Sequence, residues 1–250
     1  MATKVNKKVG LTDEPFSYCP GCTHGIAHKL IAEVLEELDI VDKTIGISPV
    51  GCAVLNYKFF NCDMQAASHG RAPAVATGIK RVRPNNIVFA YQGDGDLTSI
   101  GMGETIHAAN RGENITIIFA NNANFGMTGG QMSPTTLVGQ KTTTSQAGRN
   151  TTDDGYPIKM CEIMKEIDGA VYVARVKLTD PASVMDAKNK IKKAFQLQKD
   201  NKGYAFIEIL SSCPINWGKK PIDSLKWIDE EMVKQFPLGV FKDKSEGGKK

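Results

Sequence analysis

No stretch of the 250-residue sequence approaches the roughly 20 consecutive apolar residues that a membrane-spanning helix needs. The opening residues, MATKVNKKVG, also lack the apolar core of a secretory signal. These two absences point to a cytoplasmic protein with no membrane partner. A basic face is missing as well. The formal charge is only +4, and the ends supply it: Lys4, Lys7 and Lys8 at one end, and four lysines against Asp243 and Glu246 within residues 242–250 at the other. Nucleic-acid binding calls for a basic face, so that class of function is set aside. There is no internal repeat. With 41% hydrophobic and 23% charged residues, the composition excludes collagen-like, coiled-coil and disordered chains and leaves a folded globular body.

Six cysteines are present. Cytoplasmic thiols are kept reduced, so that number points to ligation or chemistry ahead of disulfides. Short runs rich in Val, Ile, Phe and Tyr at 44–50, 86–92, 115–120, 170–176 and 204–210 are bounded by Gly, Asn, Asp or Pro and read as strands. Helical spacing fills 24–38, 72–83, 98–111 and 181–199. Unbroken apolar strands suit a sheet covered on both faces, and the alternation predicts a doubly wound, mostly parallel α/β sheet forming a single domain over 1–250. Ligands in such sheets gather at the carboxyl ends of the strands, which directs attention to the loops opening at Pro49, Gly93, Asn121 and Ser211. The stretch 128–154, rich in Thr, Ser, Gly and Gln, is too long for an ordinary connector. It reads as a ligand-covering loop, with a disordered insertion as the alternative. Residues 242–250 read as a flexible basic tail.

The loop Gln92-Gly93-Asp94-Gly95-Asp96 leaves a strand and runs into a helix. Its glycines permit a tight turn, and the helix start offers free N–H groups to a phosphate. The pattern departs from a dinucleotide loop: Thr98 stands where a third small residue belongs, and the next strand ends in Asn121-Asn122 instead of an acid. Asp94 inside such a turn would repel a phosphate unless a divalent cation lay between them. Mg²⁺ favours an octahedron of oxygens from one or two carboxylates, phosphates and water, and Asn121 and Asn122 lie at the neighbouring strand end. Gly-Asp-Gly, then helix and strand, then Asn-Asn resembles the thiamine diphosphate motif. That resemblance implies that Asp94, Asn122 and the Asn124 carbonyl hold Mg²⁺ on the diphosphate. A helix cap followed by an asparagine turn explains neither the spacing nor the doubled glycines.

The pair Cys19 and Cys22 is compatible with half a zinc site, a dithiol redox pair or half an iron–sulfur site. Cys52 and Cys213 follow the strands at 44–50 and 204–210, on the same edge as the diphosphate loop, so four thiolates can converge on zinc or a 4Fe-4S cluster. Cys62 and Cys161 have no partner at ligand spacing and read as packing residues.

Taken together, Tyr18-Cys19-Pro20-Gly21-Cys22-Thr23-His24-Gly25, Pro49-Val50-Gly51-Cys52, His69-Gly70-Arg71-Ala72, Gln92-Gly93-Asp94-Gly95-Asp96, Asn121-Asn122 with Phe125-Gly126-Met127-Thr128-Gly129-Gly130-Gln131, and Ser212-Cys213-Pro214 resemble the beta subunits of 2-oxoacid:ferredoxin oxidoreductases. The match covers nearly the whole chain in order. It implies a thiamine diphosphate-binding fold, with Cys19, Cys22, Cys52 and Cys213 on one 4Fe-4S cluster. The implied thiamine contacts are Val50, Gly51, Cys52, Ala53, His69, Gly95, Asp96, Gly126 and Met127. Two departures stand out. Thr23 occupies a position where many relatives have glycine, and Leu55 one where some place a substrate-facing lysine.

The implied reaction is oxidative decarboxylation of a 2-oxoacid with coenzyme A to acyl-CoA and CO₂, with electrons leaving singly through the cluster to ferredoxin. The thiazolium of thiamine diphosphate would supply the ylid and the electron sink. No catalytic residue is expected on this chain: the glutamate that meets the aminopyrimidine should come from an alpha subunit carrying the pyrimidine domain, and Glu104 is poorly placed for it. Gamma and delta subunits accompany many members. Leu55 removes a cation that could pair with a second carboxylate, which tilts the substrate to a branched-chain acid such as 2-ketoisovalerate. The alternatives are 2-oxoglutarate, a non-redox thiamine decarboxylase subunit with a zinc site, or a nucleotide- or zinc-binding scaffold without catalysis. His24, His28 and His107 lie on predicted helices and read as structural.

Overall fold

The computed structural model describes residues 9–245. Within them one sheet contains β1 (Thr44–Ser48), β2 (Asp63–Ala66), β3 (Ile87–Gly93), β4 (Thr116–Asn121), β5 (Ala170–Lys177), β6 (Tyr204–Leu210) and β7 (Gly239–Asp243). Their order is β2-β1-β3-β4-β6-β5-β7. All neighbours run parallel except β7, which pairs antiparallel with β5 and closes that edge. The predicted doubly wound α/β sheet is therefore the fold.

Alternation along the buried strands divides the core into two layers. Phe89, Tyr91, Ile118 and Ile207 face one side, where α1 (His24–Glu37) and the long helix at Pro181–Lys199 pack. Val88, Ala90, Phe119 and Phe206 face the other, which is covered by α2 (Ala72–Val82), α3 (Met102–Asn110) and α4 (Met160–Lys165). The long helix, α5 (Pro181–Lys199), starts with Pro181 at its first position and a reciprocal cap: Ser183 N donates to Asp180 Oδ1 at 2.9 Å, and Asp180 N donates back to Ser183 Oγ at 3.1 Å. α6 (Pro221–Trp227) and α7 (Val233–Gln235), joined by a π-helical stretch, place Ile228, Met232 and Phe236 against Leu210 and Ala123 in a third, smaller core.

Several expectations need adjustment. The helix predicted from residue 98 begins instead as a π-helical turn, Gly95–Ile100, and continues as α3. Strands β2 and β7 and helices α4, α6 and α7 were not expected. Lys242 and Asp243, assigned from sequence to a flexible tail, are paired in β7 with Val173 and Tyr172, because an antiparallel edge strand can be short and half exposed. Residues 246–250 lie outside the described residues, as do Lys4, Lys7 and Lys8.

The stretch 128–154 has only isolated bridges, yet it is held together internally. Arg149 is its centre. The guanidinium is buried and donates to the carbonyl oxygens of Ser133, Pro134, Thr136, Asp154, Gly155 and Tyr156. A ring of backbone oxygens replaces water around this charge, which gives the loop a fixed shape.

Candidate active site

The loops that leave β1, β3 and β4 at their carboxyl ends enclose a cavity of about 110 Å³. All the residues expected to touch thiamine line it: Val50, Gly51, Cys52, Ala53, His69, Gly95, Asp96, Gly126 and Met127. So do the three expected Mg²⁺ ligands, Asp94, Asn122 and Asn124. Gly95 can only be glycine here, since a Cβ would meet the Phe125 ring at 2.2 Å.

Asp94 is buried at the end of β3. Its Oδ1 accepts from Gly95 N at 3.0 Å, and its Oδ2 accepts from the hydroxyls of Ser133 at 2.6 Å and Thr135 at 2.8 Å. Burial pushes the carboxyl up to about 6 in spite of those three donors. One end of the Asn122 carboxamide lies 3.1 Å from Asp94 Oδ1, 2.8 Å from the Asn124 carbonyl and 3.3 Å from Asn124 Oδ1. Placed with its oxygen at that end, Asn122 brings four oxygens together, two of which also accept backbone N–H groups, Asp94 Oδ1 from Gly95 and Asn122 Oδ1 from Asn124 at 3.4 Å; turned over, it donates an N–H to the other three. A cation satisfies all four without the turn. The donor set of one carboxylate with neutral oxygens fits Mg²⁺.

Asp96 has a different task. Its Oδ1 accepts from His69 Nδ1, from Gly70 N at 2.8 Å and from Val50 N at 3.4 Å, while its Oδ2 accepts from Gln92 Nε2 at 2.6 Å. One buried carboxylate thus ties the loops after β1 and β2 to the turn at 93–96. His69 spends Nδ1 on this contact, which leaves Nε2 as the nitrogen available to a bound anion. Glu104 pairs with Arg71 on the surface and does not line the cavity.

A second cavity, about 370 Å³, adjoins the first. Cys19, Cys22, Cys52 and Cys213 all line it, with Tyr18, Leu55 and Ile215 among its apolar walls. Among the described residues no three His, Cys, Asp or Glu side chains stand at the spacing of one shared metal ion; the four thiols surround a space instead. Burial pushes the Cys22 thiol up to about 11 and the Cys52 thiol up to about 12, and charge on neighbouring sulfurs acts the same way. Cys213 is raised by burial and eased by hydrogen bonds from Asn216 and Asn124. Four thiols of this kind fit a thiolate-held cluster, whose iron would displace their protons. Thr23 fastens the first pair to the sheet: its hydroxyl bonds to Ser211 Oγ at 2.7 Å and accepts from Ser212 N at 3.2 Å. Cys161 is buried between α4 and the sheet, and Cys62 packs near Met64 Sδ.

The two cavities share His24, Cys52, Asn122, Gly126 and Met127. His24 is buried, its Nδ1 is bonded to Tyr91 Oη at 2.6 Å, and burial lowers it to about 4, so it faces both spaces as a neutral ring. Sequence reasoning missed Ser133, Thr135, Gln92 and the turn at Asn216 and Trp217. Gln92 sits inside the motif that was singled out and could have been found there. The hydroxyls are indistinguishable from their neighbours in a Thr- and Ser-rich loop.

The family model described as the thiamine pyrophosphate enzyme C-terminal TPP-binding domain matches residues 49–209. The ketoisovalerate oxidoreductase subunit VorA of Methanothermobacter marburgensis is 48% identical over 239 residues, which is 96% of this chain and 50% of that protein. The chain therefore spans about half the length of that relative. The 2-oxoglutarate synthase subunit KorB of Methanocaldococcus jannaschii is 39% identical over 240 residues, 93% of this chain and 83% of that one. Among solved structures, the 2-oxoglutarate:ferredoxin oxidoreductase from Magnetococcus marinus, with 2-oxoglutarate, coenzyme A and succinyl-CoA bound, superposes with a TM-score of 0.82. It shares 27% identity and covers 97% of this chain and 87% of that chain.

Proposed function

The chain belongs to the thiamine pyrophosphate enzymes, among the subunits of 2-oxoacid oxidoreductases, and on that premise we propose that it is the thiamine- and cluster-bearing subunit of a 2-oxoacid:ferredoxin oxidoreductase. The reaction joins a 2-oxoacid and coenzyme A into acyl-CoA and CO₂, with the electron pair passed singly to ferredoxin and a proton released. One observation carries this reading. The oxygens of Asp94, Asn122 and Asn124 and the thiols of Cys19, Cys22, Cys52 and Cys213 line adjoining cavities that share Cys52, Asn122 and Gly126. When bound, thiamine diphosphate would supply the electron sink for decarboxylation and a 4Fe-4S cluster a one-electron acceptor.

The chain's own residues divide the remaining work. Asp94, Asn122 and the Asn124 carbonyl would hold Mg²⁺ for the diphosphate, with Ser133 and Thr135 orienting Asp94. Asp96 fixes His69 and the Val50 loop, which leaves His69 Nε2 free to bind the anionic end the cofactor would bring. Gly126 and Met127 line both cavities and would separate cofactor from cluster, while an alpha subunit would supply the aminopyrimidine glutamate. The favoured substrate is 2-ketoisovalerate: Leu55 gives the second cavity an apolar wall, and the relative matched at 48% is a ketoisovalerate oxidoreductase subunit. Small gamma and delta subunits complete the assembly, which works in the cytoplasm; among the described residues no helix is long and apolar enough to cross a membrane.

The test is anaerobic purification of the assembled complex, with iron and sulfide analysis and a panel of 2-oxoacids. The expected result is a brown complex that is reduced faster by 2-ketoisovalerate than by 2-oxoglutarate. Cys213→Ser should lose iron and acceptor reduction together, while Cys161→Ser keeps both. Zinc in place of iron would overturn the oxidoreductase reading.

A further inference from the structure

One side chain stands between the cluster cysteines and the cofactor loop with no part in either role so far. Asn216 lies in the turn after β6, three residues beyond Cys213, where Trp217 N donates to the Cys213 carbonyl at 3.0 Å. Its Nδ2 donates to the Gly126 carbonyl at 2.7 Å and stands 3.3 Å from Cys213 Sγ. A carboxamide nitrogen carries two hydrogens, so both acceptors can be served at once.

The surroundings leave Asn216 little freedom. Gly130 has φ +81°, and a Cβ there would come within 2.8 Å of the Asn216 Cβ, so loop and turn are in direct contact. Gly126 is equally tight on its other side, where a Cβ would approach Cys52 Sγ to 3.0 Å and Asn122 Nδ2 to 3.4 Å. The next residue, Trp217, donates Nε1–H to the Asn122 carbonyl at 3.1 Å. Two consecutive residues of the turn therefore grip two carbonyls of the cofactor and metal loop. Asn216 alone also reaches a cysteine sulfur.

We propose that Asn216 is a positioning residue that couples cluster to cofactor: one N–H holds the Gly126 carbonyl, and the other bonds the Cys213 thiolate and raises the reduction potential of the cluster. The inference rests on the oxidoreductase reading above. Hydrogen bonds to cluster sulfurs are among the determinants of iron–sulfur potentials, and a donor at a ligating thiolate favours the reduced, more negative state. The same amide keeps the cofactor loop seated against the cluster, so potential and cofactor affinity should respond together.

The experiment is an EPR-monitored redox titration of the assembled, anaerobically prepared holoenzyme carrying Asn216→Ala or Asn216→Asp. Both variants are expected to keep the iron content of the wild type. The midpoint potential should move to more negative values, further for Asn216→Asp, which sets a carboxylate beside the thiolate. Of the exchangeable-proton couplings seen by ENDOR in the wild type, the one from the Asn216 side chain should disappear, while those from the Asn216 backbone N–H and from Asn124 remain. Half-saturation with thiamine diphosphate should rise about threefold to tenfold, the effect of one hydrogen bond. If the aspartate variant fails to hold iron, the alanine variant alone decides. An unchanged midpoint and an intact coupling at full iron content would overturn the proposal, as would a midpoint moved to positive values. A wild-type complex with no iron–sulfur signal would bring down the oxidoreductase reading itself, and that is seen before any variant is made.

Discussion

Two polar clusters lie side by side at the end of β4, and they differ in one respect. Around Asn121 the polar groups close on themselves. Arg175 is fully buried, donates Nε to Glu208 at 2.8 Å, and holds Glu162 with both terminal nitrogens. Glu208 accepts in turn from Asn121 Nδ2 at 2.8 Å, and Asn121 Oδ1 accepts from Ala123 N at 3.2 Å. Ala123 has φ +57°, a left-handed conformation that a non-glycine residue keeps only when its surroundings enforce it. Around Asn122, one residue on, oxygens of Asp94, Asn122 and Asn124 gather in a cavity that, among the described residues, no lysine or arginine lines. A closed network of charges shapes the backbone; an open group of acceptors calls for a cation.

The strongest way to break this contrast is at the open cluster. Asp94→Ala or Asn122→Ala should abolish Mg²⁺-dependent thiamine diphosphate binding in the assembled complex, and in Asn122→Ala the unfolding midpoint without cofactor should stay near that of the wild type. Calorimetric titration with and without Mg²⁺ checks it, and wild-type affinity with unchanged Mg²⁺ dependence in both variants would sink the metal assignment. The closed cluster should behave in the opposite way. Glu208→Ala leaves the Arg175 guanidinium short of a buried partner and should cost about 3–5 kcal/mol in denaturant unfolding. Replacing Arg175 by Met and Glu208 by Leu together should recover part of that loss, since a buried pair removed whole is far less costly than a pair broken. No comparable repair is expected for Asp94.

The smallest effect sharpens the comparison from the surface. Glu37 on α1 is held at about 2 by hydrogen bonds from Lys188 and then Lys192 on α5. Its acidity is higher in the folded chain than in the unfolded one, so its contribution is complete above about pH 4.5 and is lost as pH falls towards about 2. The side chain is a third exposed, and solvent screening keeps the contribution within about 0.2–1 kcal/mol. Thermal melts of wild type and Glu37→Gln should differ at pH 6 and converge near pH 2. A difference that persists at pH 2 would mean that packing, not charge, joins these helices.

What could be read from the sequence follows burial. Strand β6 matches its expected span, and α5 does too, because apolar runs and a Pro-led capped start leave strong marks. Strand β2, with the sequence DMQA, is mostly exposed, and β7 is half exposed and charged, so neither carries an apolar signal. The turn at 93–96 and the asparagines at 121–122 stand out in the sequence because Gly-Asp-Gly and Asn-Asn have few other uses at that spacing, and the structure brings the turn and Asn122 to one cavity. Ser133 and Thr135 do not, because only the fold of the loop around Arg149 distinguishes them from neighbouring hydroxyls. The grip of Asn216 on Gly126 spans 90 residues, and no local pattern records a contact of that range.

The place of β6 in the sheet has a consequence for how the molecule is made. On a ribosome β5 is synthesised first, yet β6 comes to lie between it and β4. Until residue 210 is available, β5 cannot take its final place, and β4 presents an open edge to whatever strand arrives. Cys213 and the turn that braces the metal loop come directly after that insertion. The nascent chain thus carries three of its four cavity-lining thiols through most of translation before the cavity is complete, so the proposed cluster would be loaded only once β6 is in place.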